Sequence, residues 1–434
     1  MKNKILKIAK KPFVRNVVIL SSGTAAAQVI GVALSPIITR IYGPEAYGLM
    51  GTFIALVSFF APIAALTFPI AIVLPQREKD AKGLIRLSLL IAVLFSIVVG
   101  LLIILFHEPI VRVFQLEDIN SYLYLIPVVI LSAGLLQVME QWLIRTKQFT
   151  ISAKVTFLQA LIVNGGKVGI GLVHPFASVL ILFTALTQGL KAILMHLFTR
   201  KTSYKLPSDI IKDRTSIRGI IKDYKDFPLY RAPQTIVNSI SEGIPVLMMA
   251  SFFGPAAVGF YNIGRTVLGV PTQLIGKSVG DVFYPKIARV ANDGISVTQV
   301  LKKATLILAG IGILPYGVVI IFGPILFSFV FGSEWTEAGE YARWISLWSF
   351  SSFILQPALR ALPVILAQKF HLIFTIISVI IRISLLLLGS IIFSSEIIAI
   401  ALFCASSGLL NILLMLSIFS LCKKFDNKKI RTNL

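Results

Sequence analysis

Arg382 sits within Ile376–Gly389 with apolar residues on nearly every side. A guanidinium at the centre of a membrane helix costs roughly 2.5–3.5 kcal/mol on insertion scales, so it must face protein or water rather than lipid. Other polar groups share this setting. Glu242 follows Gln234 and Asn238 at four-residue spacing, which puts all three on one stripe of a helix. Arg265 shares a polar, small-residue side with Asn262, Thr266, Gly269, Gln273, Gly276 and Gly280. Lys167 follows Asn164 by one turn, and Gln28 repeats with Ser21 and Ser35 at seven-residue spacing. Glu140, Lys191 and Arg360 lie about one turn from the ends of their segments.

The deep charges are cationic on balance, with Lys167, Lys191, Arg265, Arg360 and Arg382 against Glu140 and Glu242. A cationic interior with apolar walls suits an anionic substrate, and the planar donor fork of arginine suits phosphate. An exporter selecting organic cations calls for the opposite sign. For Arg265, Arg382 and Glu242 the competing reading is a buried structural ion pair. Arg40, Arg145, Arg231, Arg343 and Lys277 lie near helix ends, where snorkelling to the headgroups suffices. Gly165 with Gly169, and Gly276 with Gly280, read as helix-packing pairs.

Enzyme chemistry lacks its residues. The chain has no phosphate-binding glycine loop with lysine, no metal-binding histidine pair and no Gly-x-Ser-x-Gly elbow. His107, His174, His196 and His371 are scattered, and Cys404 and Cys422 lie in or at the end of the last apolar segment. Neither set has metal or disulfide spacing, so no metal or cofactor is expected. No soluble stretch is large enough for a nucleotide site, which excludes an ATP-driven pump within this chain.

The elements that position these residues follow from composition. Of 434 residues, 56% are hydrophobic and 14% charged, whereas a soluble domain carries about a quarter charged residues. Mean hydropathy is +0.87, and apolar runs of about twenty residues recur, as in a multi-pass membrane protein. The net charge of +22 resides in loops between these runs. It therefore reports topology, and no nucleic-acid partner is expected. The basic N-terminus followed by Ala25-Ala26-Ala27 has the outline of a signal peptide, but the hydrophobic stretch continues to Ile38, so a retained first membrane helix is expected.

Hydropathy places twelve helices, at about 16–40, 49–73, 84–106, 121–143, 154–173, 177–198, 229–252, 258–281, 304–330, 341–364, 372–393 and 396–421. Basic loops alternate with acidic ones, and by the positive-inside rule both termini are cytoplasmic. Two copies of one plan are visible. Arg40-Ile-Tyr-Gly43-Pro44-Glu-Ala-Tyr-Gly48 returns around Gly254-Pro255 and Gly259, and Val113-Phe114 before the fourth helix matches Val330-Phe331 before the tenth. The expected fold is an all-α integral membrane protein with twelve transmembrane helices in two six-helix bundles. These are related by a pseudo-two-fold axis along the membrane normal, with the substrate cavity between them. The domains are an N-terminal bundle at 1–200, a cytoplasmic amphipathic linker at 201–228 and a C-terminal bundle at 229–434. In the linker Ile210, Ile211, Ile217, Ile220 and Ile221 alternate with Lys212, Arg214, Arg218 and Lys222.

The Gly-Pro turns, Asn262-Ile-Gly-Arg265 and Phe283-Tyr-Pro-Lys286 resemble the polysaccharide flippases. That family shares a superfamily with the multidrug and toxic compound extruders and the lipid II flippase. The resemblance covers essentially the whole chain, through short motifs. It implies movement of an undecaprenyl-diphosphate-linked oligosaccharide across a bacterial inner membrane, for O-antigen, capsule or related repeat units. It also implies that Arg265 lines the central cavity, and it allows a glycan polymerase complex as a further partner. The lipid II flippase pattern carries an Arg-Asp pair where this chain has Leu34-Ser35, and two further C-terminal helices; both departures point away from lipid II. The mechanism this suggests is alternating access. Arg265 and Arg382, with Lys167 or Arg360, hold the diphosphate, Glu242 is available for release, and Asn238, Gln273 and Gln28 line the path. The competing class is a cation-coupled multidrug antiporter on the same scaffold. A non-transporting partner of a glycan polymerase fits the buried charges poorly.

Overall fold

The computed structural model describes residues 12–114, 116–200, 202, 206–207, 216–293, 296–365 and 367–432, with side chains described outside 12–21, 114, 274–282, 284–286, 288, 292 and 428–432. Every regular element among these residues is helical. In lipid no water is available to the backbone, and a helix satisfies its own polar groups. The order is α1 (Pro12–Phe60), α2 (Glu78–Leu105), the short α3 (His107–Phe114), α4 (Ile126–Arg145), α5 (Phe149–Gly171) and α6 (Ala177–Arg200). Then come the short α7 (Ile217–Asp223), α8 (Ala232–Asn292), α9 (Val297–Phe331), α10 (Thr336–Ala361), α11 (Gln368–Ile392) and α12 (Glu396–Thr432).

Among the described residues, 8 runs are long and apolar enough to cross a membrane. Two of them, Ser22–Ile63 and Phe227–Gln273, hold a crossing on each side of a kink. Helices α5 and α10, of 23 and 26 residues, complete twelve membrane helices. The kinks are where the sequence repeats. Gly43 has φ 71° and ψ 174°, and Gly254 has φ 85° and ψ −177°. Essentially only glycine enters that region, and a following proline disfavours helical geometry at the preceding residue. The repeated Gly-Pro motif is thus a repeated backbone geometry.

Packing divides the chain into two units, Met1–Pro255 and Ala256–Leu434. The boundary falls at the second kink. The partition into 1–200, 201–228 and 229–434 follows the copies in sequence rather than the packing, and stands as a proposal. In the first unit α1 packs on α5, α5 on α6, α6 on α4 and α4 on α2. The packing glycines of α5 differ from those expected. A Cβ at Gly165 or Gly169 would meet open space, whereas one at Gly166 would strike Phe183 and one at Gly171 the Tyr42 ring. Gly165 and Gly166 differ by one residue, which turns the contact face by about 100°. Gly276 and Gly280 fall where side-chain surroundings are outside the described set.

The second crossing also departs from a continuous helix over 49–73. Helix α1 ends at Phe60, and 3-10 turns Ala61–Ile63 and Phe68–Val73 follow. Between them Leu66 (φ 46°) and Thr67 (φ 61°) are left-handed. Pro62 and Pro69 lack a backbone N–H and cannot continue the helical ladder. Side chains from α4 take up carbonyls beside the break. Gln137 Nε2 donates to Ala61 O at 2.8 Å, and Arg145 Nη1 donates to Ile72 O at 2.9 Å and Pro75 O at 2.7 Å. Arg145 therefore holds a broken helix together instead of snorkelling. The linker docks here too: Ile220 of α7 is buried with Phe68, Leu84 and Trp142, and Thr67 Oγ1 donates to Phe227 O at 3.0 Å. Ile210, Ile211, Lys212 and Arg214 lie outside the described residues.

In the second unit α10 packs on α9 and α12, and α11 packs on α12. Near the end of α12, Asp426 accepts hydrogen bonds from Ser296 Oγ (2.8 Å), Val297 N (3.0 Å), Thr298 N (3.0 Å) and Thr298 Oγ1 (2.7 Å). This carboxylate caps the N-terminus of α9, where unpaired N–H groups and the helix dipole favour negative charge.

Candidate functional site

Helix α11 has two unlike faces. Ile373, Ile376, Ile377 and Ile380 are exposed, whereas Ser378, Leu386 and Gly389 are buried. Arg382 lies four residues after Ser378 and four before Leu386, so it shares the inward face. Its Nη2 donates to Asn411 Oδ1 at 3.2 Å on α12. Asn411, 7% exposed, donates through Nδ2 to Ser351 Oγ at 3.0 Å and Ser352 Oγ at 2.9 Å on α10. Ser351 Oγ in turn donates to Trp348 O at 2.7 Å. Arg382 Nε is buried with no protein acceptor. Among the described residues no carboxylate pairs with Arg382. Other buried polar atoms without a protein partner lie in the same unit: Asn262 Nδ2, Ser346 Oγ, Ser378 Oγ and Ser407 Oγ.

Lys167 has the same character in the first unit. It lies on α5 between buried Val163 and Gly171. Its Nζ donates to Thr184 Oγ1 at 3.0 Å on α6 and lies 3.4 Å from Met50 Sδ on α1. Its carbonyl accepts from the Tyr42 hydroxyl at 2.7 Å. Here too no carboxylate is paired with the cation among the described residues.

Two other cations are paired with carboxylates. Lys191 Nζ meets Glu140 Oε1 at 2.7 Å across α6 and α4. Arg343 pairs with Glu340 at 2.9 Å one turn away and donates to Ile321 O at 3.1 Å. Of the remaining expected site residues, Arg265 and Gln28 are half-buried, and Gln273, Asn238, Glu242 and Arg360 are exposed. Gln234, Asn238 and Glu242 form one exposed polar stripe on the first segment of α8. The structure thus joins Arg382 to Asn411 and Lys167 to Thr184, partners that were not singled out from the sequence. Asn411 follows Ser407 by four residues inside an apolar helix, a signal of the same kind as Gln234-Asn238-Glu242.

Among the described residues, no three histidine, cysteine or acidic side chains group as metal ligands. Comparison with known proteins agrees with the fold. A family model described as polysaccharide biosynthesis protein matches residues 37–340. The chain belongs to this family. Over 374 residues it is 22% identical to the succinoglycan biosynthesis transport protein ExoT of Rhizobium meliloti (strain 1021), covering 81% of this chain and 69% of that one. Over 95 residues it is 36% identical to inner membrane protein YghQ of Escherichia coli (strain K12), covering 21% of this chain and 26% of that one. The second match therefore spans about a quarter of its relative. The solved structure of the lipid II flippase MurJ in an inward closed conformation superposes with a TM-score of 0.73 at 14% identity, covering 95% of this chain and 91% of that one. At that identity the likeness concerns the fold. This member of the polysaccharide biosynthesis protein family is a multi-pass membrane protein with the fold of a flippase or transporter.

Proposed function

We propose that the chain translocates an oligosaccharide repeat unit, linked to undecaprenyl diphosphate, from the cytoplasmic to the outer leaflet of a bacterial inner membrane. The observation that carries this reading is uncompensated positive charge at depth. Lys167 and Arg382 lie on inward helix faces, and their described hydrogen-bond partners are neutral. A lone cation in such a setting is costly to keep and marks a pathway for charge of opposite sign. The family's description as polysaccharide biosynthesis proteins and the name of ExoT as a transport protein support a glycan-bearing substrate. The diphosphate supplies the anion that such a substrate shares whatever its sugars.

The transport step in this reading is alternating access, with the headgroup site open first to one side of the membrane and then to the other. In the second unit Arg265 and Arg382 attract the diphosphate, Lys167 gives the first unit a cation of its own, and the prenyl chain stays in lipid. Arg360, being exposed near the end of α10, serves as an entry-side cation. Gln28, Asn238, Gln273 and Glu242 offer polar contacts to the glycan. The decisive experiment is an Arg265→Ala, Arg382→Ala double variant at native expression in a strain lacking the chromosomal copy. Loss of surface polysaccharide is expected, together with accumulation of lipid-linked repeat units on the cytoplasmic leaflet. Normal flipping by the double variant would sink the proposal.

A further inference from the structure

The partner of Arg382 is an amide where a guanidinium at this depth ordinarily meets a carboxylate. The arrangement also dictates which way the amide points. Ser351 Oγ donates to Trp348 O at 2.7 Å, so its lone pairs remain to accept from Asn411 Nδ2 at 3.0 Å. Ser352 Oγ accepts from the same Nδ2 at 2.9 Å. With both amide protons committed, Asn411 can offer Arg382 only its Oδ1, at 3.2 Å. A reversed amide would set N–H against N–H. The network is a one-way chain of donors, from Arg382 through Asn411 and Ser351 to a backbone carbonyl. Only its first member is charged.

We propose that Asn411 is the residue that sets the charge selectivity of this site. It orients the Arg382 guanidinium without cancelling its charge, so the site takes phosphate-type anions. This rests on the anion-binding reading proposed above and adds the residue that makes it possible. Aspartate differs from asparagine by one group and would accept from Arg382 with the same geometry. The pair would then be neutral, and the field that attracts phosphate would collapse. An oxygen acceptor alone orients a guanidinium; the absence of charge on that acceptor is what leaves Arg382 available. Arg382 Nε is buried and has no protein acceptor, so the guanidinium keeps an unspent donor as well as its charge.

The test uses full-length protein in detergent, with thermal unfolding followed while inorganic pyrophosphate is titrated at constant ionic strength. Pyrophosphate is expected to stabilise the wild-type protein. Asn411→Asp is expected to melt at or above the wild-type temperature without ligand, and to bind pyrophosphate about tenfold more weakly or worse, as when a unit charge beside the ligand is cancelled. Asn411→Ser, smaller but neutral, is expected to keep pyrophosphate binding within about threefold, since the Arg382 charge survives. A purely structural role for Asn411 predicts the reverse order, with Asn411→Ser the more damaged. If Asn411→Asp does not fold, Ser352→Asp serves instead, because it brings a carboxylate against the same amide; the same weakening is expected. Pyrophosphate binding by a folded carboxylate variant at wild-type strength overturns the role of Asn411 and leaves the proposed function standing. No effect of pyrophosphate on the wild-type protein overturns both.

Discussion

Lys191 and Lys167 look alike in sequence, each a lysine inside an apolar helix, yet they have opposite surroundings. Lys191 is neutralised by Glu140 at 2.7 Å, with side-chain exposures of 19% and 36%. Removing one partner strands the other charge, so Lys191→Met or Glu140→Gln alone should lower stability by about 1–3 kcal/mol. The double variant should recover most of that loss, and a double-mutant cycle of unfolding in detergent measures the coupling. Among the described residues, the Lys167 ammonium meets Thr184 Oγ1 and a thioether. Lys167→Met should therefore leave thermal stability unchanged or raised while reducing surface polysaccharide. A marked loss of stability would identify Lys167 as a structural residue and remove it from the substrate site.

Elements carry a second set of consequences. Gly43 and Gly254 hold the same positive-φ, extended-ψ geometry, which a side chain enters at a cost of about 1–3 kcal/mol. Gly254→Ala should lower the unfolding temperature, although a Cβ there meets open space; the strain lies in the backbone rather than in a clash. The broken second crossing depends on Arg145, which holds Ile72 O and Pro75 O. Arg145→Leu frees both carbonyls, each costing roughly 1–3 kcal/mol if it stays buried. Faster limited proteolysis around residues 72–77 is the expected signature. Asp426→Ala removes four hydrogen bonds at the start of α9, and a lost helix cap costs about 0.5–2 kcal/mol. Proline and glycine made the Gly-Pro kinks legible, because their effect is local. The break after Phe60 carried the same signal in Pro62 and Pro69, but hydropathy across 49–73 is uninterrupted and masked it.

For the molecule as a whole, we propose that both termini face the cytoplasm, a reading supported by an even number of crossings and by the basic loops. Green fluorescent protein fused after Leu434 should fluoresce, and alkaline phosphatase fused at the same point should be inactive; an active phosphatase would refute the orientation. The helical class and the number of crossings were legible because lipid leaves an apolar run of about twenty residues no other way to satisfy its backbone. The paired kinks at Gly43 and Gly254 were legible because glycine and proline restrict φ and ψ within a residue or two. That arginines and lysines fall inside apolar segments was legible too, since it is a property of the sequence itself. What each cation meets was not. Whether a lysine ends beside Glu140 or beside Thr184, whether α5 packs through Gly165 or Gly166, and that Arg382 faces an asparagine depend on residues far away in the chain. Helix rotation and register bring them together, and only the packed structure decides those.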